Sequence, residues 1–137
     1  MAVIDRLLPE SVRTGEVTRY IEPMVGGGAV FFHLVQRYPI KEFFISDYNW
    51  DLFVLYRVIK TRVGPLIEEL QKQADEYLPL PPTQQGDKEG ERISMYKRIR
   101  DEYNEDAWDE DRYLRDGTSF RRRMTDRSVR RAAMTVF

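Results

Sequence analysis

Three consecutive glycines, Gly26, Gly27 and Gly28, follow an acid and a proline, Glu22 and Pro23, and lead into the apolar run Ala29-Val30-Phe31-Phe32-His33-Leu34. Three positions without Cβ let a ligand lie against the backbone and meet N–H groups at the start of the following helix. Asp47 stands nineteen positions after Gly28, just beyond a second apolar run that ends in Phe44-Ile45-Ser46. That offset suits a ribose-binding carboxylate when two neighbouring parallel strands end side by side, because its charge accepts hydrogen bonds from two vicinal hydroxyls. The pattern is the layout of a nucleotide-cofactor pocket in an α/β sheet. Glycines also serve loops that bind nothing, and Asp47-Tyr48-Asn49 also suits the cap of a following helix. The two roles of Asp47 are compatible, since a strand-end acid sits at the pocket mouth and at a helix entrance.

The elements that must position these residues are legible in outline. Helix is expected from Asp5 to Val12, ended by Gly15, and strand from Val17 to Ile21. The glycine turn then opens a helix over Ala29–Arg37, and a strand follows over Glu42–Ser46. From Trp50 to Arg62 the residues are apolar almost all round, which predicts a helix buried on more than one side. Gly64-Pro65 should break it and start a helix to Tyr77. Leu78–Gly90, with three prolines and two glycines, reads as a loop. Helices resume over Glu91–Tyr103 and from Asp126, with Thr125 as N-cap. The expected fold class is α/β: a partial Rossmann-like β-α-β-α sheet over 1–62, then a helical segment over 63–137.

The same residues resemble the adenine-N6 DNA methyltransferases of the Dam type, the D12 class. That family's first strand ends in Glu-Pro-Phe-x-Gly-Gly-Gly and its second in Ser-Asp-x-Asn; here they read Glu22-Pro23-Met24-Val25-Gly26-Gly27-Gly28 and Ser46-Asp47-Tyr48-Asn49. Tyr96, Arg100, Tyr103 and Asn104 fit the family's Tyr-x-x-x-Arg-x-x-aromatic-Asn helix. The resemblance implies S-adenosylmethionine as cofactor and double-stranded DNA as partner. It makes Glu22, Pro23, Met24, Gly26, Gly27, Gly28, Asp47 and Tyr48 the cofactor contacts, and 63–137 the beginning of a target-recognition domain. Met24 departs from the family's aromatic, but a flexible thioether packs against a ligand nearly as well.

The resemblance also has gaps. Leu7-Leu8-Pro9 is reached with no Gly-Gly-Lys segment before it, and the family's catalytic Asp-Pro-Pro-Tyr occurs nowhere from Met1 to Phe137. The double proline Pro81-Pro82 has neither the polar residue before it nor the aromatic after it. Adenine-N6 transfer needs acceptors on the N6 hydrogens and an aromatic face on the flipped base. No catalytic residue is therefore assigned, and the chain is expected to be an N-terminal part, truncated or split, inactive alone. Two parallel strands do not cover the faces and edges of a sheet. The bare edge of the first strand should invite self-association or a complementary C-terminal half.

The net charge of −1 hides segregation. Asp101–Asp111 carries seven acids and no base, whereas Arg112–Phe137 carries eight arginines against two aspartates. Arg121, Arg122, Arg123 and Arg127 are the candidate DNA contacts, since arginine forks match phosphate oxygens. The alternative for Arg121–Arg123 is a solvated loop balancing the acidic run. Tyr96, Arg100 and Tyr103 share one helical face, where packing accounts for the tyrosines. His33, the one histidine, cannot build a metal cluster and reads as a packing residue. No run approaches the ~18 apolar residues of a membrane span. The absence of cysteine excludes disulfides and thiolate metal sites and fits a reducing cytoplasm. Two other readings remain open: a non-catalytic DNA-binding or regulatory module with the same fold, and an unrelated nucleotide-binding Rossmann-like domain. The second is disfavoured by a glycine spacing unlike Gly-x-Gly-x-x-Gly.

Overall fold

A computed structural model of the chain describes residues 2–84, 89–106 and 124–137. Two compact units divide it, Met1–Phe53 and Val54–Phe137, with the boundary inside one helix. Among the described residues no helix is long and apolar enough to cross a membrane.

The first unit is built on helices α1 (Ala2–Leu7), α2 (Glu10–Arg13) and α3 (Ala29–Arg37) and strands β1 (Arg19–Glu22) and β2 (Glu42–Ile45). The helix expected over Asp5–Val12 is two helices, because Pro9 disfavours helical geometry at Leu8 and stands extended at φ −57°, ψ 149° before α2. The first strand begins at Arg19 rather than Val17. Val17 N–H donates to Ser11 O at 3.0 Å, so it is withdrawn from the sheet ladder. The second strand and α3 lie where the residue pattern puts them, to within one residue.

β1 and β2 pair in parallel, with Arg19, Tyr20, Ile21 and Glu22 opposite Glu42, Phe43, Phe44 and Ile45. Alternation turns Tyr20, Glu22, Phe43 and Ile45 inward, where Phe31 of α3 meets the Phe43 ring edge-on at 5.6 Å. Val12, Val25 and Leu34 are buried in this unit. On the other face Ile21 and Phe44 are exposed, beside an Arg19–Glu42 ion pair at 2.9 Å. Among the described residues β1 pairs with β2 alone. The small parallel sheet with its helices is consistent with part of a methyltransferase fold.

α4 (Trp50–Thr61) crosses the boundary between the units, and the second unit continues with α5 (Val63–Tyr77), α6 (Glu91–Glu105) and α7 (Asp126–Val136). Along α4 only Val54 and Val58 are fully buried, while Trp50, Leu52, Phe53, Leu55, Tyr56 and Ile59 are half-buried. The break before α5 falls at Arg62, not at Gly64-Pro65. Pro65 sits in the first turn, where a helix has no N–H partner to lose. Met95, Ile99 and Met134 form a core against which Tyr77, Leu80 and Tyr103 pack. Thr125 caps α7 as its sequence predicts: its side chain accepts Ser128 N–H, and Thr125 N–H donates to Ser128 Oγ.

Candidate functional site

Val25, Gly26, Gly27 and Gly28 form a turn closed by Gly28 N–H donating to Val25 O at 2.8 Å. Gly26 (φ 51°) and Gly28 (φ 75°) occupy the left-handed region, which disfavours any side chain. Gly27 does not, and a Cβ built there meets no atom within 4 Å. Neither backbone strain nor crowding therefore demands glycine at position 27. Gly28 ends the turn as the residue that caps α3, so the N–H groups of that helix's first turn open beside the loop.

The end of β2 holds this loop. Val25 N–H donates to Ser46 O at 3.0 Å, and Ser46 Oγ donates to Pro23 O at 3.1 Å. Gly26 N–H donates to Asp47 Oδ2 at 2.8 Å, twenty-one residues away in sequence. The other carboxylate oxygen, Oδ1, accepts Asn49 N–H at 2.8 Å, and Asn49 in turn caps α4 by accepting Asp51 N–H at 2.9 Å. The backbone N–H groups of Asn49, Gly26 and Tyr48 hold the Asp47 carboxyl below the usual carboxylate range. Asp47 is thus an ionised latch on the glycine loop as well as the start of a helix cap. A carboxylate offers about four acceptor positions, so the latch leaves capacity for a ligand hydroxyl.

Met24 and Tyr48 stand at 77% and 99% exposure beside this latch, large apolar surfaces that a bound planar group would cover. Glu22 lies inward at the end of β1, and its Oε2 is buried with no hydrogen-bond partner among the described residues. Burial and the hydrogen bond it gives the Glu22 carboxylate push the Tyr20 hydroxyl up to about 12, so Glu22 already has one protein donor and only Oε2 is left over. A buried acceptor left open calls for a donor, and the amine or hydroxyl of a ligand is one. Glu22, Met24, Gly26, Gly27, Gly28, Asp47 and Tyr48 therefore share one end of the two-stranded sheet with Pro23, whose carbonyl anchors the loop. The open cradle, the free acceptor and the exposed aromatic fit a nucleoside-type cofactor.

The arginines divide differently. Arg121, Arg122 and Arg123 lie outside the described residues. Arg127 is held by Asp106 at 2.6 Å and Arg130 by Glu102 at 2.7 Å, so part of the acidic run balances part of the basic one. Arg131 is buried against the Tyr103 ring, its guanidinium donating to Tyr103 O and Asp106 O. It satisfies carbonyls that end α6. Arg100 pairs with the neighbouring Asp101 at 2.8 Å.

Three participants were not assigned to the site from the sequence. Ser46 and Asn49 stood there only as members of the strand-end motif; Ser46 anchors the loop, and Asn49 takes the helix-cap role that the sequence offered it. His33 is the third: buried, and 2.6 Å from Asp5 Oδ1 through Nε2. Nothing in its apolar helix indicated a partner twenty-eight residues earlier.

The family model for D12 class N6 adenine-specific DNA methyltransferases matches residues 1–127. The type II methyltransferase M.MjaIII of Methanocaldococcus jannaschii is 41% identical over 115 residues, which is 84% of this chain and 37% of that protein. The chain thus spans little more than a third of that relative's length. No solved structure matches it. Because the match runs through the glycine loop, the strand-end aspartate and most of the helical unit, the chain belongs to the D12 class of N6 adenine-specific DNA methyltransferases.

Proposed function

We propose that this chain carries one side of the S-adenosylmethionine site of a DNA adenine-N6 methyltransferase, together with the beginning of its recognition domain. The observation that carries the reading is Gly27, a glycine without a backbone reason, in open space next to an ionised strand-end aspartate. The loop N–H groups and Asp47 would hold the cofactor's polar atoms, Met24 and Tyr48 would cover its planar part, and Glu22 would accept from a donor on it. S-adenosylmethionine would supply an electrophilic methyl group: the attacking amine's lone pair forms the new C–N bond, the pair of the broken S–C bond stays on sulfur as the thioether product, and the amine gives up a proton. The residues of this chain bind and orient that group and shield it from water. None of them is assigned to the adenine. The D12 membership and the M.MjaIII similarity support DNA as the partner, and Arg121, Arg122 and Arg123 are the proposed phosphate contacts.

Calorimetric titration with S-adenosylhomocysteine, with NAD as control, tests this reading. The expected result is weak but saturable binding of the former alone. Binding of NAD in preference, or of neither, refutes it.

A further inference from the structure

Asp5 is the meeting point of the first unit. One oxygen, Oδ1, lies 2.6 Å from His33 Nε2 and accepts the Tyr38 hydroxyl at 2.7 Å, while Oδ2 faces Arg37 Nη1 at 3.7 Å. The backbone carbonyl of Asp5 accepts from the Arg13 guanidinium of α2. A carboxylate has no proton to give, so the short contact requires the hydrogen on His33 Nε2. The His33 side chain is 6% exposed and that of Asp5 27%, which screens these bonds less than surface pairs.

Position in the helix gives the cluster a consequence. α3 has nine residues, and its first turn follows the glycine loop directly. His33 is five residues past Gly28, about 7.5 Å along the axis. His33, Arg37 and Tyr38 lie four and one residues apart, so a single carboxylate grips α3 near its middle and at its end. Together with the Phe31–Phe43 contact to β2, that grip leaves the helix little freedom to roll. Rolling would turn the N–H groups of the first turn away from whatever the loop holds.

We infer that Asp5, His33 and Tyr38 are positioning residues for the cofactor site: their clasp on α1 fixes the rotation of α3 and so the direction of the N–H groups at the glycine loop. The inference rests on the cofactor reading above. Its residues touch no ligand.

The test combines S-adenosylhomocysteine titration with amide hydrogen exchange on the full chain, for Asp5→Asn, Tyr38→Phe, His33→Leu and His33→Gln. Glutamine places an amide N–H where His33 Nε2 carries its proton, so it should restore the clasp. Exchange should accelerate in α1 and in the bonded amides of α3 from Phe32 onward in the first three variants, and affinity should fall about fivefold in each, the scale of one lost hydrogen bond. His33→Gln should return both readouts close to those of the parent chain. Faster exchange with unchanged affinity shows that the clasp serves folding alone and overturns the inference, as does unchanged exchange in all variants. If the parent chain binds no S-adenosylhomocysteine, the cofactor reading fails and the inference with it, whereas parent binding that every variant shares removes only the inference. A variant that unfolds outright is replaced by Tyr38→Phe, which removes one hydroxyl and no volume of consequence.

Discussion

Replacing Gly27 by alanine separates a glycine kept for a ligand from one kept for the backbone. At Gly26, with φ 51°, a side chain enters the left-handed region at about 1–2 kcal/mol. At Gly27 φ lies outside that region and a Cβ meets nothing within 4 Å. Gly27→Ala should therefore stabilise the chain by about 0.4–1 kcal/mol, because it restricts the unfolded chain without straining the folded one. Unfolding free energies of the two variants, read from urea titrations, should move in opposite directions, with a separation of roughly 1.4–3 kcal/mol, the sum of the two effects. Ligand binding should reverse the ranking for Gly27. A methyl group placed where the cofactor approaches the backbone costs on the order of 1–3 kcal/mol of overpacking, or at least about fivefold in affinity. Calorimetry with S-adenosylhomocysteine reads that loss directly. A Gly27→Ala chain that is more stable and binds as tightly as the parent would refute the cradle. A Gly27→Ala chain that is less stable would refute the backbone geometry from which the cradle is inferred.

Asp47 has a carboxyl held low by backbone N–H groups, so its contribution to folding is complete above about pH 4 and is lost as pH falls through the depressed folded value. Amide exchange at Gly26 should accelerate in that acid range and do so at every pH in Asp47→Ala, whereas protection that persists in the variant would remove the latch. Purified chain with labelled S-adenosylmethionine and adenine-containing duplex should transfer no methyl group, since no polar-Pro-Pro-aromatic tetrapeptide occurs between Met1 and Phe137. Turnover surviving stringent purification would contradict this. Duplex binding should be weak, salt-sensitive and indifferent to sequence. Alanine at Arg121, Arg122 and Arg123 together should flatten the slope of log affinity against log salt by roughly 2.7, three contacts at about 0.9 each. Arg127→Ala, whose guanidinium Asp106 already holds, should change the slope by less than one such contact. Equal slopes in the triple variant and the parent would assign the run to the solvated loop.

Local chemistry was legible in the sequence because it acts between near neighbours. Thr125 and Ser128 cap α7 across three residues, and the glycine turn opens α3 at Ala29 as its composition requires. The parallel pairing of β1 and β2 also follows from local pattern, since each apolar strand ends in a polar turn and a helix connects them. Where a neighbour competes, the pattern misleads: Pro9 divides the first helix, and Ser11 takes the N–H that Val17 would have given the sheet. The tertiary structure decided the partnerships that span the chain. Asp47 reaches Gly26 across twenty-one residues only because the register brings Glu22 opposite Ile45. His33 is buried as a packing residue is, and it is also hydrogen-bonded because α1 folds back onto α3 with Asp5 facing it. Arg131, charged and adjacent to Arg130, is buried while Arg130 stays at the surface, since one points at the carbonyls that end α6 and the other at Glu102. Charge and residue type are properties of the sequence. Which charge meets which partner depends on distances that exist only once the elements have packed.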